Sequence, residues 1–188
     1  MIDPVETKHV SPNMTKFIFV TELTKSLKNT IHLADSKANI VLTIQTFLIS
    51  TILAATIVED IFKNLNEQPH ILKYGFLVCM VVFLLVSIIG LILSVYVFIP
   101  RKSTLNHHKD ALSLTYFADI TAFTSSLDYY KAINKLTEQQ LIEELAVENY
   151  NLSFIISKKM DYTRKSIQAL FTSIILAIII VFFVLAIK

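Results

Sequence analysis

The chain has 188 residues and a formal net charge of +2, with 54% apolar and 17% charged residues. This composition is unusual for a soluble domain, and the small net charge argues against a general nucleic-acid binder. The single cysteine, Cys79, excludes a disulfide framework and a cysteine-based zinc site.

Residues 1–39 are mostly polar and are expected to form a cytoplasmic amphipathic helix rather than a cleavable signal. Apolar residues recur at steps of three and four through their second half, which is the helical period. Pro12 limits this helix upstream, and Asn13 or Thr15 is the expected N-cap. One helix continuing to residue 58 would measure roughly 66 Å, well beyond the thickness of a bilayer.

Three long apolar runs predict transmembrane helices at residues 40–58, 75–99 and 168–188. The shortest of these runs would span roughly 28 Å as a helix, close to a hydrocarbon core of about 30 Å. Backbone polar groups in lipid must be satisfied within the segment, so helices are expected rather than strands. The predicted fold class is an all-α integral membrane protein with three spans and long cytoplasmic helical extensions.

The distribution of lysine and arginine orients the spans. These residues are concentrated in residues 1–39 and 100–167, whereas residues 59–74 form a short loop rich in acidic residues. The positive-inside rule therefore places the N-terminus and residues 100–167 in the cytoplasm and the short loop outside. With three spans, the C-terminus emerges on the periplasmic or external side.

The cytoplasmic region at residues 100–167 is predicted to be helical. Pro100 ends the second span because it cannot continue a helical hydrogen-bond ladder. Residues 113–120 are ambiguous between a short strand and a helix. Thr137 and Gln140 form a capping-box signature, and no proline or glycine follows them. A single helix is therefore expected from this box to the end of the chain.

One face of the first span is polar. Asn39, Thr43, Thr46 and Ser50 recur at steps of four, three and four, which places them on one side of a helix. A polar stripe in lipid faces a bundle interior or a water-filled path, so this face predicts a pore lining formed by several copies. The alternative is that the hydroxyls bond their own helical carbonyls and only aid close packing.

Small residues mark one face of the second span. Ser87, Gly90 and Ser94 lie on roughly the same side of the predicted helix. Small side chains let transmembrane helices approach closely, so this face predicts helix packing rather than chemistry.

Asp35 and Lys37, at the cytoplasmic end of the polar face, are interpreted as its gate. An aspartate beside the membrane needs a partner, and Lys37 is too near in sequence to face it on a helix. We expect a cation from another helix, and the candidates are Lys158, Lys159, Arg164 and Lys165. The alternative is an ordinary solvated turn.

No catalytic or metal-binding motif is visible in the sequence. Two glycines in the whole chain leave no glycine-rich phosphate loop. His107 and His108 are adjacent, so they would point to different sides of a helix rather than share a metal ion. We therefore expect neither an enzyme nor a bound cofactor or metal ion.

The order of four short segments carries a family resemblance. The segment ADSKANI at residues 34–40, leading into a span, resembles the signature of the Pycsar effector transmembrane family of bacterial antiphage proteins. The likeness continues in FIPR at residues 98–101, in YFADI at residues 116–120, and in Lys158 and Lys159 before the last span. A more distant resemblance is to SLATT-type membrane effectors.

The resemblance implies an effector that impairs the bacterial inner membrane and causes growth arrest or cell death during infection. Its control would come from a nucleotide or oligonucleotide signal made by a companion nucleotidyltransferase or cyclase. Many relatives carry an appended cyclic-nucleotide-binding domain, and none is expected here, so the signal would engage the cytoplasmic helices.

The residues predicted to contact such a signal are cations for its phosphates and aromatic residues for its bases. They are Arg101, Lys102, Tyr116, Phe117, Tyr130, Lys131, Lys158 and Arg164. The alternative is that the cations meet anionic lipid and the aromatic residues form a cytoplasmic core.

A homo-oligomer is expected, because three thin helices cannot enclose a water path alone. The predicted function is a nucleotide-controlled ion channel or membrane-disrupting pore that depolarises the cell. The alternative is a non-channel membrane anchor or assembly protein. A membrane enzyme would need a catalytic set that the sequence does not contain.

Overall fold

The computed structural model describes residues 12–58, 61, 65, 68–99, 114 and 117–187, and none of these lies in a strand. The helices are α1 (Pro12–Val58), α2 (His70–Phe98), α3 (Phe117–Ile120), α4 (Ser126–Asn134) and α5 (Glu138–Ile187). Three of them, α1, α2 and α5, are long and apolar enough to cross a membrane. The predicted all-α class with three such helices is confirmed.

Two helix ends lie beside prolines in the sequence. Helix α1 is described from Pro12, and proline is compatible with the first turn of a helix, where its missing N–H is not needed. The predicted N-caps Asn13 and Thr15 are therefore wrong, and both residues lie inside α1. Helix α2 ends at Phe98, and Ile99 adopts an extended backbone (φ −65°, ψ 121°), as a following proline favours.

The predicted capping box opens α5. The backbone N–H of Thr137 donates to Oε1 of Gln140 at 2.9 Å, and the N–H of Gln140 donates to Oγ1 of Thr137 at 3.3 Å. Helix α5 then continues without a break to Ile187, which confirms the predicted single helix. Of the segment that was ambiguous in sequence, Phe117–Ile120 forms the short helix α3.

The chain divides into two compact units. The described residues of the first unit are 12–30, 114 and 117–156, and those of the second are 31–58, 61, 65, 68–99 and 157–187. Helices α1 and α5 contribute residues to both units. The second unit contains all three predicted spans.

In the first unit, buried polar side chains join the early part of α1 to the early part of α5. Asn149 is buried, and its Oδ1 accepts a hydrogen bond from Oγ1 of Thr24 at 2.7 Å. Its Nδ2 donates to the carbonyl oxygen of Val20 at 3.0 Å. Lys28 and Glu148 form an ion pair at 3.6 Å beside these bonds. This unit is therefore held by polar contacts as well as by apolar packing.

In the second unit, the buried positions of each helix repeat at steps of four and three. On α2 they are Phe76, Met80, Phe83, Ser87, Gly90, Ser94 and Val97. On α5 they include Lys159, Thr163, Ser166, Leu170, Ser173, Ala177 and Ile180, and on α1 they include Ala34, Ala38, Val41, Gln45 and Ile52. A repeat of about 3.5 residues is that of a left-handed coiled coil. The second unit is a three-helix bundle with one interior seam.

The buried side chains of this bundle differ in size and polarity between its two ends. One end is filled by large apolar side chains, including Ile52, Phe76, Phe83 and Ile180. Toward the other end, the buried positions of α2 and α5 carry mainly small or polar residues. The outside stays apolar, as Phe47 (70% exposed) illustrates. Such an exterior is suited to lipid rather than to water.

Gly90 lies where α2 closely approaches both α1 and α5. A Cβ atom at this position would lie 3.2 Å from Cβ of Ala169 and 3.5 Å from Cδ of Gln45. Small residues at such positions let membrane helices pack closely. The predicted packing face of α2 is confirmed, since Ser87, Gly90 and Ser94 are all buried.

Replacing Gly90 with leucine should force α2 away from α5 and lower the free energy of unfolding by about 1–3 kcal/mol, the usual effect of overpacking. Thermal stability in detergent, read as the monodisperse fraction after heating, measures this change. Ala54→Leu is the matched control, because Ala54 is exposed on the single chain. Equal melting of the two variants would contradict the packing described for Gly90.

Candidate functional site

A buried polar node joins the three helices of the second unit. Nε2 of Gln45 donates to Oγ of Ser173 at 2.8 Å, and Oγ of Ser87 donates to the same oxygen at 3.2 Å. The Ser173 hydroxyl donates its own proton to the carbonyl oxygen of Ala169 at 2.9 Å. One donor and two acceptor positions exhaust the capacity of a hydroxyl, so Ser173 is fully satisfied. The node fixes the register of α1, α2 and α5.

Two further polar atoms are buried near this node. Oε1 of Gln45 and Oγ of Ser94 have no hydrogen-bond partner within the described part of the chain. Burying a polar group without a partner costs free energy, so an apolar residue would be the default here. Their presence makes this half of the seam polar, whereas the end at Phe76 and Phe83 is apolar.

An ion pair follows the node along the seam. Nζ of Lys159 donates to Oδ1 of Asp35 at 2.5 Å, with the two side chains 11% and 29% exposed. Lys159 is one of the four cations expected from sequence, so the prediction of a partner on another helix is confirmed. The alternative of a solvated turn is wrong, because Asp35 lies inside α1 and its carboxylate is paired with Lys159. The gate role of Asp35 and Lys37 remains a prediction.

The four predicted pore-lining residues lie on the outside of the single chain. Asn39, Thr43, Thr46 and Ser50 are all exposed. Oγ1 of Thr43 donates to the carbonyl oxygen of Asn39 at 3.0 Å, and Oγ1 of Thr46 donates to that of Leu42 at 2.8 Å. Both hydroxyls are therefore satisfied within α1, and the face stays available to a second copy. Its pore role remains a prediction.

A groove of about 610 Å³ lies between α1 and α5 in the second unit. It brings together two of the predicted site residues, Lys37 and Arg164. Its other lining includes the carboxylate of Asp161 and the apolar side chains of Met160, Ile167 and Phe171. The groove therefore combines two cations and one carboxylate with an apolar surface.

The carboxylate in the groove lining is held in a local ion pair. Nζ of Lys165 donates to Oδ2 of Asp161 at 2.9 Å. This hydrogen bond holds the pKa of Asp161 below its ordinary value and raises the pKa of Lys165 above its own, so both stay charged at neutral pH. Lys37 and Arg164 themselves form no ion pair or hydrogen bond with any described residue.

The remaining predicted nucleotide contacts are divided between the units. Tyr130 and Lys131 are exposed on α4 in the first unit, and Lys158 is exposed on α5 in the second. Three of them, Arg101, Lys102 and Tyr116, lie outside the described residues, as does the side chain of Phe117.

No group of three metal-binding side chains occurs in the part of the chain that the structure describes. His107 and His108 lie outside that part.

Gln45 is the functional candidate that the sequence analysis missed. It lies between Thr43 and Thr46 in sequence, but it points to the buried side of α1, away from the exposed polar face. A signal was available, because a lone amide inside an apolar run is costly in lipid and marks an interior position.

Comparison with known proteins gives one match. The model of a family described as the Pycsar effector protein domain matches residues 19–186, nearly the whole chain and both units. No curated protein and no solved structure matches the chain.

Breaking the ion pair from one side should destabilise the bundle. Asp35→Ala leaves Lys159 buried without its partner and should lower the free energy of unfolding by about 2 kcal/mol, between the values for exposed and buried pairs. Thermal stability of the purified chain in detergent measures this loss. The exchange Asp35→Lys with Lys159→Asp should restore part of it.

Lys158→Ala is the matched control, since Lys158 is the neighbouring lysine and is exposed. It should leave the melting temperature unchanged. A loss as large as that of Asp35→Ala would show that the effect comes from net charge and not from the pair.

Proposed function

Because the chain belongs to the Pycsar effector family and is an antiphage defence effector of the membrane, we propose that it forms a homo-oligomeric ion channel or pore. The proposed site is the bacterial inner membrane, with the N-terminus and the region between the second and third spans in the cytoplasm. Family membership implies a system in which a cyclase supplies the signal. Opening would depolarise the cell and stop growth.

The observation that carries the pore proposal is the exposure of the polar face of α1. The single chain buries none of the four side chains of this face, which are those of Asn39, Thr43, Thr46 and Ser50. Within the chain, the seam is filled at one end by Phe76 and other large side chains, which leaves no room for water to pass. A water path is therefore better formed between copies, with the polar face of α1 turned inward.

The ion pair at the end of this face supports a gating role. Asp35 precedes Asn39 by four residues, so the two lie on one side of α1 a turn apart. A half-buried pair is a two-state contact that a ligand can bias toward made or broken. We propose that the state of the pair between Asp35 and Lys159 sets whether the path conducts.

The signal would be a nucleotide or oligonucleotide from a companion nucleotidyltransferase or cyclase. Among the described residues, Tyr130, Lys131 and Lys158 are exposed and have the chemistry to contact a base and phosphates. A ligand shifts the population of the assembly toward the state that it binds better. The signal can therefore open the channel or close it, depending on which state it binds better.

One observation favours the alternative of a membrane anchor or assembly protein. The hydroxyls of Thr43 and Thr46 already bond carbonyl oxygens of their own helix. Because these hydroxyls already have hydrogen-bond partners, they can face lipid or a neighbouring helix and need no water-filled path. Conductance separates the two functions.

Thr43→Leu with Thr46→Leu should abolish depolarisation while leaving the amount of protein in the membrane unchanged, because leucine removes the polar lining. Membrane potential in cells producing the chain, with and without the companion gene, measures this effect. The matched control is Thr21→Leu with Thr30→Leu. Thr21 is exposed and Thr30 half-buried on α1; both bond carbonyl oxygens in the same way and precede the predicted span.

If the Thr43 and Thr46 variant depolarises cells as much as the unchanged chain does, this face does not line the pore. An unchanged potential under every condition, with the chain present in the membrane, would favour the anchor function instead.

A further inference from the structure

The groove between α1 and α5 lies where both helices change from charged to apolar sequence. On α1, Lys37 is the last charged residue before Glu59. On α5, Arg164 and Lys165 are the last charged residues before Lys188. Cations at such a boundary meet the headgroup layer of a bilayer.

The lining of the groove matches an amphiphile with an anionic head. Lys37 and Arg164 make no ion pair or hydrogen bond among the described residues. Asp161 also lines the groove and attracts Arg164, but its carboxylate is paired with Nζ of Lys165 at 2.9 Å, so the two groove cations keep an excess of positive charge. An arginine guanidinium binds the oxygens of a phosphate in bidentate geometry, and a lysine adds a point charge. The apolar side chains of Ile167 and Phe171 lie further along α5, on its way into the predicted span.

We propose that this groove binds an anionic phospholipid. Lys37 and Arg164 hold the phosphodiester, and the first part of an acyl chain lies along Ile167 and Phe171. A volume of about 610 Å³ accommodates a headgroup and a short length of chain. Basic pockets between membrane helices are recognised by headgroups in this way.

A lipid fits the groove better than a soluble nucleotide does. Phe171 is the one aromatic side chain in the lining, and it lies at the apolar end, away from the aqueous side where a base would stack. Exposed apolar residues continue from it along α5 at Ile175 and Phe182, so the groove opens onto the lipid-facing surface. Arg164, predicted from its charge to contact the nucleotide signal, is thereby assigned to the membrane.

This inference is independent of the proposed pore, because it concerns the binding of lipid by the second unit and not conduction. Either function can fail while the other holds. Membrane potential tests conduction by the pore, and fluorescence quenching by brominated lipid tests lipid binding at the groove.

The experiment uses the absence of tryptophan from the chain. Phe171→Trp places one fluorophore in the groove at a position that is 63% exposed and tolerates the larger ring. The full-length variant is reconstituted in phosphatidylcholine vesicles containing either brominated phosphatidylglycerol or brominated phosphatidylcholine. Bromine quenches a tryptophan that its lipid contacts, so unequal quenching by the two lipids at the same mole fraction reports a preference at the groove.

We expect the relative binding constant for phosphatidylglycerol to exceed that for phosphatidylcholine by roughly five-fold or more, the factor expected for one well-placed cation at an anionic surface. Lys37→Gln with Arg164→Gln should remove the preference, and Arg164→Lys should keep most of it. Lys25→Gln with Lys158→Gln, the same change of charge on the same two helices outside the groove, should leave it intact.

Three results would overturn the proposal. The first is equal quenching by the two lipids, and the second is a preference that survives in the Lys37 and Arg164 variant. The third is loss of the preference when a cyclic nucleotide or inorganic phosphate is added to the aqueous phase, which would assign the groove to a soluble phosphate ligand.

Discussion

The structure depends on how helices find their neighbours when both the interior and the surroundings are apolar. In lipid, apolar area cannot distinguish the buried face of a helix from its exposed face. Small side chains and interhelical hydrogen bonds make the distinction instead. In this chain, Gly90 sets how closely α2 approaches its neighbours, and the node of Gln45, Ser87 and Ser173 sets their register. The four-and-three repeat of the other buried positions follows from that register.

The same seam separates two kinds of interior. The apolar end, around Phe76 and Phe83, consists of buried large side chains. The other end holds the hydrogen-bonded amide of Gln45 and the ion pair between Asp35 and Lys159. The helices that form this ion pair, α1 and α5, also contribute residues to the first unit.

The outside of α1 and the groove beside it give the bundle two different interfaces. The exposed polar face from Asn39 to Ser50 has the chemistry for a second copy of the chain, or for water between copies. The groove of Lys37 and Arg164 has the chemistry for a lipid headgroup. Both begin within one turn of Asp35. The proposed pore lining, the proposed lipid site and the ion pair therefore lie at one level of α1.

The amino-acid sequence by itself determined the all-α class, the three apolar helices, the capping box at Thr137 and the family, because each rests on local pattern. It also limited the partner of Asp35 to four cations, since an aspartate beside the membrane needs one. Only the tertiary structure selected Lys159, because its depth on α5 brings it opposite Asp35. Only the structure separated Gln45 from its neighbours Thr43 and Thr46, turning the amide inward and the hydroxyls outward. That choice depends on where α5 places Ser173, 128 residues away in the chain, and no local pattern carries such a contact.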